Sequence, residues 1–197
     1  MGRPKKNESR AIDRIAEAFW EMLETCDYRD ITIKSLSAKA RVNHNSIYYY
    51  FKSIDDLAER LFAREYESSI CNELFAQMVS GSVDLPRLLH AEDDLRKFDH
   101  IRLFAASESS HLRSVFISNV RTGWLKHLGI PEDRLSPDDR MDIEFILNGV
   151  TAILGSSSPR LDAASLNRFL GRDMGKSIGA TFRRIMGSQV GPDALAK

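Results

Sequence analysis

Cysteine, proline and unbroken hydrophobic runs are all scarce in this chain. Its 197 residues hold two cysteines, Cys26 and Cys71, and their spacing matches no metal or redox motif. Both are expected to be buried, reduced thiols. No apolar stretch approaches the roughly 18 residues that a membrane span requires, so no membrane partner is expected. The opening Met-Gly-Arg-Pro-Lys-Lys has no apolar segment of the kind a secretory signal needs, which leads to an expected cytoplasmic location. Strand-like alternation, internal repeats and low-complexity tracts are missing too. Apolar residues recur at three- and four-residue intervals almost throughout, which predicts an all-α protein.

The usual signatures of chemistry are also lacking. There is no Gly-rich phosphate loop, no paired-cysteine zinc pattern and no His-Glu-x-x-His run. The five histidines, at 44, 90, 100, 111 and 127, fit none of the common ligand spacings. Glu92-Asp93-Asp94 fan around a helix instead of facing one point. Ser109-Ser110-His111 has no elbow motif and reads as a helix cap. No catalytic residue, metal site or cofactor is expected, and the chain is not read as an enzyme.

Net charge is zero, with 28 Lys and Arg against 28 Asp and Glu. That balance argues against a non-specific DNA packer, which would be basic overall. The charge is unevenly placed, however. Residues 1–52 hold ten basic and seven acidic side chains, leaving the remainder acidic by the same margin. The 22 residues from Ile31 to Lys52 contain no acid at all, yet carry Lys34, Lys39, Arg41, His44 and Lys52. They also read as two short helices around a tight turn. Thr32 caps the first, and Ile33, Leu36 and Ala40 follow at helical spacing. Arg41-Val42-Asn43 makes the turn, and Asn43 caps the second helix. Ile47, Tyr50 and Phe51 are the second helix's apolar face. His44, Asn45, Ser46, Tyr48 and Tyr49 form a polar and aromatic face suited to a major groove.

Residues 11–60 resemble the DNA-binding domain of the tetracycline-repressor-like (TetR) family of bacterial regulators. The matching residues are Ile31-Thr32-Ile33, Leu36, Ala40, Val42, Ser46-Ile47-Tyr48-Tyr49-Tyr50-Phe51-Lys52-Ser53 and Asp55-Asp56-Leu57. Arg41 stands where the family usually has the turn glycine, so this turn must bear a positive φ or take another shape. Asn45 replaces a small residue, and Ile54 a frequent lysine. The resemblance implies a sequence-specific regulator, most often a repressor released from a palindromic operator by a small-molecule effector, and working as a homodimer. A DNA-bound scaffold, whose C-terminal domain meets a protein partner instead, is the alternative. An exposed apolar patch over a filled interior would favour it.

The expected organisation is a DNA-binding domain at 1–53 with a basic arm, a helical effector-binding and dimerisation domain at 54–187, and a tail at 188–197. Arg3 and Lys5 of the arm either reach a minor groove or belong to a disordered, solubilising tail. Helices are expected over 11–26, from Ser53 to Val79, from Pro86 to Lys97, over 101–106, 111–128 and 137–154, and from Ala163 to Met186. Lys34, Asn45, Tyr48 and Tyr49 are read as facing bases or sugar edges, with Asn43 and His44 beside them. Thr32, Ser46, Tyr50 and Lys52 are read as phosphate contacts. An effector pocket is expected around Leu89, Phe104, Phe116, Val120 and Trp124, with Arg102, His111 and Asn119 as its polar groups and Arg121 nearby. Gly171, Gly175 and Gly179 recur every four residues, each at a cost of about 1 kcal/mol relative to Ala. With Gly149, Ala152 and Gly155 they are the expected dimer face; packing of the ridge inside one subunit is the alternative.

Overall fold

The computed structural model describes residues 6–68, 70–156 and 162–189. All regular structure among them is helical. Three helices come first: α1 (Lys6–Thr25), α2 (Ile33–Ala40) and α3 (His44–Tyr50). The long α4 (Ile54–Ser68) leads out of this unit into α5 (Cys71–Ser80), α6 (Leu85–Leu88), α7 (Glu92–Ala106), α8 (Ser110–Leu128), α9 (Pro137–Gly155), α10 (Ala163–Leu170) and α11 (Asp173–Gln189). Arg3, Lys5 and residues 190–197 lie outside the described residues.

The helix starts follow the side chains. Thr32 accepts from the Ser35 N–H at 3.1 Å while Ser35 Oγ accepts from the Thr32 N–H, a reciprocal cap. Ser53 caps α4 by accepting from the Asp56 N–H. Ser109 caps α8, and Ser136 with Pro137 opens α9. Gly129 stops α8 at φ 67°, where a residue without Cβ carries no steric penalty.

Four boundaries differ from expectation. α1 begins at Lys6, inside the stretch read as an arm. The helix expected from Ser53 to Val79 is two: α4 ends at Ser68, and α5 starts at Cys71 after a turn at Ile70. The helix expected from Pro86 to Lys97 breaks after Leu88, and the acidic run at 92–94, read as interrupting its apolar face, is the first turn of an α7 that continues through the separately expected segment 101–106. Negative charge is favoured there by the helix dipole. The single helix expected from Ala163 divides at Gly171 into α10 and α11. Cys26 is also exposed and not buried, its Sγ donating to the Met22 carbonyl, while Cys71 is half-buried.

The first core joins Ile15, Phe19, Leu36 and Ile47 of the three-helix unit to Leu57 and Leu61 of α4, each nearly or wholly excluded from water. Burial of each such side chain contributes about 1.5–3 kcal/mol. The second core is aromatic. Phe62 of α4 meets Phe104 of α7 at 4.5 Å between centroids, and Trp124 of α8 lies between Phe75 of α5 and Phe182 of α11 at 5.1 and 5.0 Å. Trp20 of α1 bridges the two cores. It stacks on His100 of α7 at 4.2 Å, and His100 faces Glu65 of α4 at 3.5 Å. Burial raises the Glu65 pKa, but the His100 hydrogen bond and charge, with Arg96 and Arg64, outweigh that and hold it below the usual carboxylate value. The three-helix unit is thus keyed to the second domain through α1 as well as through α4.

Candidate nucleic-acid interface

The turn between α2 and α3 is fixed by its neighbours. Arg41 adopts φ 53° and ψ 46°, the only positive φ of a non-glycine residue among the described residues. Its N–H closes α2 on the Ser37 and Ala38 carbonyls, and its own carbonyl accepts from Arg14 Nη1 at 3.4 Å. An L-residue in that region costs about 1–2 kcal/mol. Arg41→Gly is therefore expected to raise the stability of the DNA-free protein by about 0.5–1 kcal/mol, after the extra chain entropy of glycine is subtracted. Urea unfolding measures this; a loss of stability would mean that the Arg41 side chain holds the turn.

Asn43 caps α3 by accepting from the Asn45 N–H at 2.9 Å. Ile47 is wholly buried and sets the rotation of the helix. With that face inside, His44, Asn45, Tyr48 and Tyr49 stand outside, and Ser46 and Tyr50 are half-buried. Tyr48 is 55% and Tyr49 75% exposed. Two large aromatic rings left in water on one short helix mark a contact surface. The far end of α3 is pinned by Arg60, whose Nη1 donates to the Tyr50 carbonyl at 2.6 Å and whose guanidinium lies over the Phe51 ring. Thr32, Lys34 and Lys52 are exposed, at the start of α2 and just before α4. Lys39 is held by Glu21 across to α1 at 2.6 Å. The Lys52 N–H donates to the carboxylate of Asp56.

The second domain contains an apolar cavity of about 70 Å³. Phe116, Val120 and Trp124 of α8 line it, among the residues proposed from sequence; Leu89 and Phe104 are buried elsewhere in the core. None of the polar groups expected there lines it. Arg102 pairs with Asp99 and donates to the Leu154 carbonyl. Arg121 pairs with Glu132 and Glu144. His111 and Asn119 lie on a separate open groove between α4 and α8. The walls missed from sequence include Tyr66 of α4 and Cys71, Leu74, Phe75 and Met78 of α5, besides residues of α7, α9 and α10. For the α5 residues, the spacing at i, i+3, i+4 and i+7 was the available signal.

The glycines divide as well. A Cβ on Gly179 would lie 2.1 Å from the Met78 carbonyl oxygen, one on Gly175 2.4 Å from Leu170 Cα, and one on Gly155 2.5 Å from the Ala105 carbonyl oxygen. These three small residues let helices of one subunit approach each other. Gly171 ends α10. Gly149 meets nothing within 4 Å, and Ala152 is exposed beside it. Along the same face of α9 stand Met141 and Phe145, 67% and 76% exposed, with Met174 of α11 at 60%.

A three-helix unit that presents a polar and aromatic helix beside a basic rim, carried on a second helical domain, defines a helix-turn-helix DNA-binding transcriptional regulator. Residues 15–61 match the family described as bacterial regulatory proteins, tetR family, which makes the N-terminal unit a DNA-binding domain of that kind. The TetR family repressor AlkX from Dietzia sp. strain DQ12-45-1b, implicated in biodegradation of n-alkanes, is similar in structure at 16% identity and TM-score 0.46, over 94% of this chain and 100% of that one. The fatty acid degradation regulator FadR from Bacillus halodurans is similar at 13% identity and TM-score 0.45, over 97% and 98%. No curated protein matches the chain. Among the described residues no group of three or more His, Cys, Asp or Glu could hold a metal ion, and no helix is long and apolar enough to cross a membrane.

Proposed function

We propose that the protein holds a palindromic operator as a homodimer, represses there, and releases the DNA when a small molecule enters the cavity of its second domain. The observation that carries this reading is α4. It begins just after Lys52 and is joined to α3 through Arg60, while Tyr66 near its other end is a wall of the cavity. A ligand that moves α4 changes the separation of the two recognition helices, which must match about one DNA turn of roughly 34–36 Å. Its effect on DNA affinity can be no larger than its differential affinity for the two arrangements. Residues 1–53 are assigned to DNA and 54–187 to ligand and dimer, with α4 shared mechanically between them. The exposed apolar face of α9 and α11 would also serve a scaffold that binds a protein partner; the cavity favours the ligand-responsive reading.

Base or sugar edges are assigned to Lys34, Asn45, Tyr48 and Tyr49, and phosphates to Thr32, Ser46, Tyr50 and Lys52. Lys52→Ala is expected to weaken binding about equally on all sequences and to lower the magnitude of the salt slope by about one. Lys34→Ala should instead alter the preference among sites. Binding of both variants to DNA fragments selected by the wild-type protein, over a range of salt, separates the two roles. Uniform loss from both would move Lys34 to the backbone-positioning group.

A further inference from the structure

The chemistry of the cavity wall limits what it can bind. Sixteen residues line it, from α4, α5, α7, α8, α9 and α10, and none is charged. Only Tyr66, Cys71 and Trp124 among them own a polar side-chain atom. Burial pushes the Tyr66 phenol well above its ordinary pKa, so it stays neutral. The nearby cations are held elsewhere, Arg102 by Asp99 and Arg121 by Glu132 and Glu144. An ionised group moved into such surroundings without a counter-charge does not remain ionised.

Resting on the ligand-responsive reading, we infer that the effector is an uncharged, hydrocarbon-rich molecule, held by the apolar walls of α5, α8 and α10 without an ionic anchor. The space of about 70 Å³ is less than half of the roughly 150 Å³ cavity that admits benzene. A larger ligand must therefore push the walls apart. Met78 yields readily, because an unbranched thioether side chain adapts to a changed cavity. Tyr66 has less room. It packs so closely on α8 that a Cβ on Gly123 would lie 2.5 Å from its hydroxyl. Wall movement in this direction is passed to α4.

The test uses the full-length protein and three probes with one chain length: 1-octanol, octanoate and octylammonium. The readouts are the emission of Trp124, the unfolding midpoint, and affinity for a DNA fragment selected by the protein. At pH 8 octanol is expected to bind at least a hundredfold more tightly than either ion. Octanoate should gain about tenfold for each pH unit from 8 down to 6, because it enters only as the neutral acid, while octanol stays constant. The octanol emission change should vanish in Trp124→Phe, leaving the midpoint shift in place. Octanoate or octylammonium binding within tenfold of octanol at pH 8 would overturn the inference, as would the lack of a saturable response to all three. Octanol binding with unchanged DNA affinity would support the ligand class and refute the ligand-responsive reading.

Discussion

Phe145→Asp is expected to give a folded monomer that binds a two-half-site DNA fragment at least a hundredfold more weakly than the parent. Phe145 and Met141, one turn apart on α9, leave most of their surface in water, as does Met174 of α11. Burial of such side chains contributes about 1.5–3 kcal/mol each, counted on both sides of a two-fold interface. A carboxylate at 145 would face its symmetry mate or an apolar surface, without a partner in either case. The substitution touches no buried neighbour, so the subunit fold should survive. Loss of the dimer turns the second half-site from an intramolecular contact into an independent one, which removes a factor of about 10²–10⁴. Light scattering and gel-shift titration report the two effects separately. A dimer that persists with full DNA affinity would place the interface away from this face.

Gly179→Ala should destabilise the protein, by about 1–3 kcal/mol or more, although Ala is the better helix former. The added methyl would lie against the Met78 carbonyl oxygen of α5, and a helix backbone cannot turn aside as a side chain can. Gly187→Ala in the same helix is the control, since nothing lies within 4 Å of its Cβ position. It should gain up to about 1 kcal/mol. For a protein of this size each kcal/mol moves Tm by about 2–4 °C, so opposite shifts are readily measured. Two stabilised variants would show that α5 and α11 can separate without loss.

These results turn on what local sequence can encode. The DNA-binding unit was readable because its determinants are close neighbours in the chain. Thr32 and Asn43 cap the helices they precede, and Leu36, Ala40 and Ile47 mark the buried faces. The missing turn glycine left a positive φ or another turn shape open, and the backbone at Arg41 is left-handed. The second domain was less readable because its decisive features are contacts across the chain. A ridge of Gly175 and Gly179 looks the same whether a second subunit lies against it or the subunit's own α10 and α5 do. Reading α4 and α5 as one helix hid the turn at Ile70, and with it the α5 wall of the cavity. Charges near an apolar stripe, such as Arg102 and Arg121, gave no sign that Asp99, Glu132 and Glu144 would hold them outside.

The central assignment is that the exposed face of α3 enters a major groove, twice, in a two-fold complex. Guanine-N7 protection of the selected DNA, with the wild-type protein bound, measures this directly. Two protected patches are expected in major grooves on one face of the duplex, about 10 base pairs or a whole multiple apart, both abolished when Tyr48 and Tyr49 are replaced by Ala. A single patch, or two patches unaffected by those replacements, would contradict it.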